Sequence, residues 1–170
     1  GRVLGICGGL QMLGEALIDV HGVESHGNAP GLGLLPLVTS FEPRKTVRRT
    51  HTLFGVLRGA WAPLSGVAAS GYEIRHGRTR AHPAFEPPRV ALRNAAGEAI
   101  GWQAGQVLGV YAHGLFEQPA VLQALFGQCV KPLDEVFDDL ADFIALHFKP
   151  GTLAGLEMEG DEVGQVVEDL

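Results

Sequence analysis

The sequence predicts an α/β domain: a mostly parallel sheet flanked by helices, with antiparallel hairpins inserted into it. Three observations lead there. A short apolar run at residues 2–6 stops at a turn and gives way to helical spacing, and a second run, Val107 to Tyr111, stops in the same manner ahead of further helices. Between them lies a long section of strand-like runs punctuated by Gly and Pro. Strands that alternate with helices at both ends favour parallel pairing, whereas the middle section favours hairpins.

Each element follows in order. Residues 2–6 read as a buried strand, and Leu10, Leu13, Leu17 and Val20 set a helix over 8–20. The stretch 26–33, HGNAPGLG, is a turn. Strand-like runs follow at 33–41, 45–57, 68–75, 89–93 and 98–103. After 106–114, QVLGVYAHG, two helices are expected at 117–128 and 134–148, separated by Pro132. The second carries Val136, Phe137, Leu140, Phe143, Ile144 and His147 on one face. Residues 1–149 form the expected domain, and 150–170 an acidic tail.

The 170-residue length allows one domain with a proper core, and 46% hydrophobic residues with 24 glycines indicate a globular chain rich in tight turns. No apolar run approaches the roughly 18 residues of a membrane span, and the start lacks a signal-peptide layout. A soluble, cytoplasmic protein without membrane attachment is the expectation. The net charge of −6 argues against a nucleic-acid partner. Glu157, Glu159, Asp161, Glu162, Glu168 and Asp169 carry a charge equal to that net value, so the tail reads as a solvated extension or linker. Cys7 and Cys129 are too few for a disulfide framework, and no spacing suggests a metal site.

Gly5-Ile6-Cys7-Gly8-Gly9 has the form G-x-nucleophile-x-G. A sharp strand-to-helix turn strains its central residue, and flanking side chains would clash there, hence the glycines. The turn presents the thiol at the carboxyl end of a strand, where open α/β sheets bind ligands. A helix N-terminus there is expected to lower the thiol pKa. The Gly8 amide is placed to donate to an oxyanion, and Gln11 should emerge on the cleft side to meet a small polar substrate. A lone cysteine among glycines also reads as a small buried hydrophobe. The reactive reading needs a base.

Seven histidines compete. His147 falls on an apolar helix face, and His21, His26 and His82 sit in loops where solvent exposure is the default. His113 ends the second strand-like run ahead of Gly114, so it should reach the same sheet edge as Cys7 and form a thiolate–imidazole pair.

These residues resemble a known family. GICGGLQMLG (5–14) fits the G-[IV]-C-x-G-x-Q motif of class I, triad-type glutamine amidotransferase domains, and YAHGLF (111–116) resembles the Y-x-H-G-x-F of their cobyric acid synthase branch. GLGLLPLVTSFEPRKT (31–46) and GYEIRHGRT (71–79) look like further signatures of that branch. The resemblance implies a flavodoxin-like fold, incomplete at the N-terminus because strands and an oxyanion loop should precede the elbow. It implies Cys7 as nucleophile toward L-glutamine, His113 as acid and base, Gly8 as oxyanion donor and Gln11 as glutamine contact. It implies no cofactor in this domain. A separate synthetase domain would use ATP and Mg²⁺ to amidate carboxylates of a corrinoid, adenosylcobyrinic acid a,c-diamide, on the way to cobalamin.

The chain departs from the family in places. Leu115 stands where most triad members have a glutamate, a loss shared by the branch, which points to a dyad with Glu117 a nearby candidate to orient His113. Arg75 and His76 replace the usual His and Met of the branch. The basic run RKTVRR (44–49) faces either acidic partners or solvent. Other readings stay open: a related amidotransferase acting on cobyrinic acid or lipid II, a non-catalytic module that keeps the fold for interaction, or a cysteine hydrolase on the same turn.

Overall fold

The computed structural model describes residues 1–24, 27–127, 131 and 133–149. The expected acidic tail, Cys129 and His26 lie outside them. The chain divides into two compact units, Gly1–Val130 and Lys131–Leu170, so the last helix falls in the second unit rather than in a single body running to 149.

The first unit is built on one eight-stranded sheet. In chain order its elements are β1 (Val3–Ile6), α1 (Gly8–Leu13), β2 (Ala16–Ile18), β3 (Ala29–Pro30), β4 (Leu37–Phe54), β5 (Ala68–Ala81), β6 (Arg89–Asn94), β7 (Ala99–Ala104), β8 (Val107–Val110) and α2 (Pro119–Phe126). The strands run β1-β8-β7-β6-β4-β2-β3, with β5 paired to β4 off that path. The second unit contributes α3 (Leu133–His147), in which His147 stacks on Phe143 at 4.1 Å between ring centroids.

The α/β class holds, with a different balance of strand directions from that expected. Only β1·β8 and β2·β4 pair in parallel; the other pairs among the described residues are antiparallel. The sheet is mixed because the middle hairpins are part of it rather than attached to it. β4 and β5 form one long hairpin whose register slips between Phe41 and Thr46. Pro43, which has no N–H to give the ladder, lies inside that slip.

The helix expected over 8–20 stops at Leu13, and Leu17 belongs to β2. Its continuation is taken by distant chain: Met12 O accepts from Leu32 N at 2.8 Å, Glu15 O from Gly31 N at 2.9 Å, and Glu15 N donates to Leu37 O at 2.7 Å. A Cβ on Gly31 would lie 2.0 Å from Gly14 O, so these two segments meet backbone to backbone.

The core lies against α1 and β8. Leu10, Leu35, Leu37, Leu92, Ile100 and Val110 are completely buried in it. Removing one such leucine side chain costs about 2–5 kcal/mol, so α1 is held by packing rather than by its own six residues.

Candidate active site

Cys7 is the one non-glycine residue with positive φ among the described residues, at φ 53° and ψ −110°. This conformation is costly for a side chain and persists because both sides are fixed. Cys7 N donates to Val110 O at 2.8 Å, which continues the β1–β8 ladder by one residue, and Cys7 O accepts from Gln11 N at 3.2 Å. The strand hands the chain to the helix at this residue.

The thiol donates to Ile74 O of β5 at 3.3 Å. Burial pushes its pKa above the ordinary range, against the expected lowering. The Gly8 amide and the charges of Arg75 and Lys45 pull it back, and Glu24 adds to the rise. Desolvation therefore outweighs the helix N-terminus, and the resting group is a thiol that needs a base.

His113 is joined to the same strand. Its N–H donates to Tyr72 O at 2.8 Å and its carbonyl accepts from Tyr72 N at 3.2 Å. A Cβ on Gly71 would fall 2.1 Å from His113 O, so glycine is required for this approach. His113 Nε2 is buried and has no hydrogen-bond partner among the described residues. Glu117, the sequence candidate for orienting the ring, is exposed in a short 3-10 turn and makes no hydrogen bond to His113.

Gly8 is exposed, a Cβ there would meet nothing within 4 Å, and its amide acts on the Cys7 thiol. Gln11 is placed otherwise than expected: it is buried, and its Nε2 donates to Tyr111 OH at 3.3 Å. Tyr111 OH also bonds Thr79 Oγ1, which bonds Thr39 Oγ1 at 2.6 Å. In this conformation the Gln11 amide braces the layer beneath β5.

β5 carries a buried charged pair that sequence reasoning missed, although Arg75 itself stood out there. Glu73 is fully buried and Arg75 nearly so, while Tyr72 and Ile74 are about 40% exposed. Glu73 Oε1 accepts from Arg48 Nε at 2.9 Å and Asn94 Nδ2 at 3.1 Å; Glu73 Oε2 accepts from Arg75 Nη2 at 3.0 Å. The basic run is thus split by strand alternation: Arg48 turns inward to Glu73, and Arg49 turns outward over the Tyr72 ring at 5.7 Å. The only available signal was two opposite charges at i and i+2 on one strand face. A cavity of roughly 310 Å³ lies beside the Tyr72–His113 bridge, lined by Arg49, His51, Tyr72 and Glu117 among others.

A strained cysteine at a strand-to-helix elbow, with a histidine three residues past the end of the neighbouring parallel strand, defines the class: an α/β protein of the nucleophile-elbow type. The family comparison narrows it. Residues 1–121 match the model of the CobB/CobQ-like glutamine amidotransferase domain, and the chain belongs to that family. Over 157 residues it is 64% identical to a cobyric acid synthase of Methylibium petroleiphilum, covering 91% of this chain and 31% of that relative. It is 62% identical over 161 residues to a cobyric acid synthase of Leptothrix cholodnii, covering 92% and 31%. The chain thus spans under a third of the length of these relatives. A solved glutamine amidotransferase structure, 19% identical, superposes with a TM-score of 0.43 over 73% of this chain and 60% of its own. No helix among the described residues is long and apolar enough to cross a membrane.

Proposed function

We propose that this chain is the glutaminase portion of a cobyric acid synthase and releases ammonia from L-glutamine. The observation that supports this most is that one strand, β5, holds both residues: Ile74 O accepts from the Cys7 thiol, and Tyr72 pairs main chain to main chain with His113. Cys7 Sγ transfers its proton to His113 Nε2 and attacks the side-chain amide carbon of glutamine. The Gly8 N–H stabilises the oxyanion that forms. His113 returns the proton to the departing ammonia, which leaves a γ-glutamyl thioester on Cys7. Water, deprotonated by His113, then attacks the thioester carbon, and the thiol takes the proton back as glutamate departs. The partly buried thiol and a His113 Nε2 with no hydrogen-bond partner among the described residues suit this order.

The ammonia would serve an ATP- and Mg²⁺-dependent amidation of corrinoid carboxylates in the remaining length of such a synthase, in the cytoplasm. Among the described residues no group of three His, Cys, Asp or Glu side chains is arranged to hold a metal ion, and none of the steps above passes through one. The test is labelling of the intact synthase with a glutamine-derived diazoketone, read by mass spectrometry. An adduct on Cys7 that disappears in Cys7→Ala is expected, and an unlabelled Cys7 would overturn the glutaminase reading.

A further inference from the structure

Arg75 is one of the two positions at which the chain departs from the pattern it otherwise resembles, and its surroundings give that departure a purpose. Residues 72 to 75 alternate across β5. Tyr72 and Ile74 turn their side chains outward while their main chain meets His113 and Cys7. Glu73 and Arg75 turn inward. Arg75 Nη1 donates to Gly77 O at 2.7 Å, Nη2 and Nε reach Glu73 Oε2 at 3.0 and 3.3 Å, and the guanidinium carbon sits 4.3 Å from the centre of the Tyr111 ring.

The ladder needs this support at this place. The β4–β5 register slips opposite residue 76, where Thr46 pairs with Arg75 and Phe41 with Gly77. Across the slip, His76 Nδ1 bonds Glu42 O at 2.9 Å, and Arg75 ties Glu73 to Gly77 on the inner side. Tyr111, against which Arg75 stacks, follows β8 directly, two residues before His113, and its hydroxyl accepts from Gln11 of the elbow helix. One planar side chain therefore contacts β5, the histidine segment and, through Tyr111, the cysteine helix.

We propose that Arg75 is a positioning residue for the Cys7–His113 pair: by tying Glu73 to Gly77 and stacking on Tyr111, it fixes the stretch of β5 that holds both groups. This rests on the glutaminase reading for its kinetic consequences but not for its structural ones. The fork, not the charge alone, is what the role requires. A lysine cannot bond Glu73 and Gly77 at once in a planar arrangement while lying flat on a ring. The charged groups that bear on the thiol are Arg75 of β5, Lys45 in the slipped part of β4, and Glu24.

The test uses Arg75→Lys and Arg75→Met in the intact synthase, with three readouts: glutaminase kcat and KM, the pH profile of Cys7 alkylation resolved by mass spectrometry, and amide hydrogen exchange at Tyr72 and His113. Arg75→Lys is expected to lower kcat about tenfold or more while KM stays within about threefold, since a small misplacement of reacting groups slows chemistry more than binding. It should quicken exchange at Tyr72 and His113 and leave the alkylation midpoint in place, because a positive charge remains. Arg75→Met should do the same to kcat and also move the midpoint to higher pH. If Arg75→Met does not fold, Arg75→Lys alone decides. Wild-type kcat and exchange in Arg75→Lys would overturn the proposal. A wild-type protein that releases no ammonia would overturn the glutaminase reading instead, while the exchange and alkylation data would still judge the role of Arg75.

Discussion

Gly5 and Gly109 face each other as Cα partners across the parallel β1–β8 pair and form the seat of the elbow helix. A Cβ on Gly109 would lie 2.3 Å from Leu10 Cδ1; one on Gly5 would lie 2.5 Å from Leu13 Cδ1 and 2.7 Å from the Gly9 carbonyl carbon. The helix that carries the nucleophile rests on the sheet without an intervening layer of side chains. The position of Cys7 is set by this contact as much as by the turn itself.

Gly109→Ala is therefore expected to lift α1. Overpacking of this kind costs about 1–3 kcal/mol, seen as a lower urea midpoint. Leu10→Ala, which empties a completely buried site, should cost about 2–5 kcal/mol. The double variant should cost less than the sum of the two, because the leucine is what the new methyl strikes. Strict additivity of the two losses would show that Leu10 is not the obstacle.

The thiol pKa has a sign that can be checked directly. Burial raises it and the Gly8 amide and Arg75 only partly offset the rise, so the iodoacetamide reactivity of Cys7 should titrate with a midpoint above the ordinary thiol value of about 8.5. The same shift links to folding. The folded state disfavours the thiolate, so stability is full below the unfolded thiol pKa and falls as pH rises through the folded one. Cys7→Ser should remove this alkaline loss, and a midpoint below the ordinary value would mean that the helix N-terminus, not burial, controls the group.

Much of the site was legible because its signals are local. The glycines around Cys7 and the polar stop after Tyr111 mark two strand ends, and parallel neighbours bring such ends to one edge. The rest depends on distant chain. α1 ends early because residues 31–37 take the backbone groups of 12–15, and no periodicity reports that. A period of two has two faces, and alternation alone does not say which of them is buried. The buried face belongs to Glu73 and Arg75 because Arg48 and Asn94, 25 and 21 residues from Glu73, complete the hydrogen bonds of the carboxylate that Arg75 pairs with. The thiol pKa departs from expectation for a similar reason: a helix start is visible in sequence, whereas the burial that outweighs it depends on the folded surroundings.

Gly71→Ala tests the histidine without touching either reacting side chain. The new methyl would lie 2.1 Å from His113 O, too close for the Tyr72–His113 pairing to survive unchanged, while the Ile74 contact to Cys7 lies three residues further along. Glutaminase kcat should fall by about a hundredfold, the scale expected when a base is misplaced by about an ångström. The alkylation profile of Cys7 should stay close to wild type, since iodoacetamide needs only the thiolate. Equal losses in both measurements would show that the substitution had disturbed the whole of β5. An unchanged kcat would show that the main-chain bridge at Tyr72 does not hold His113 in its working position.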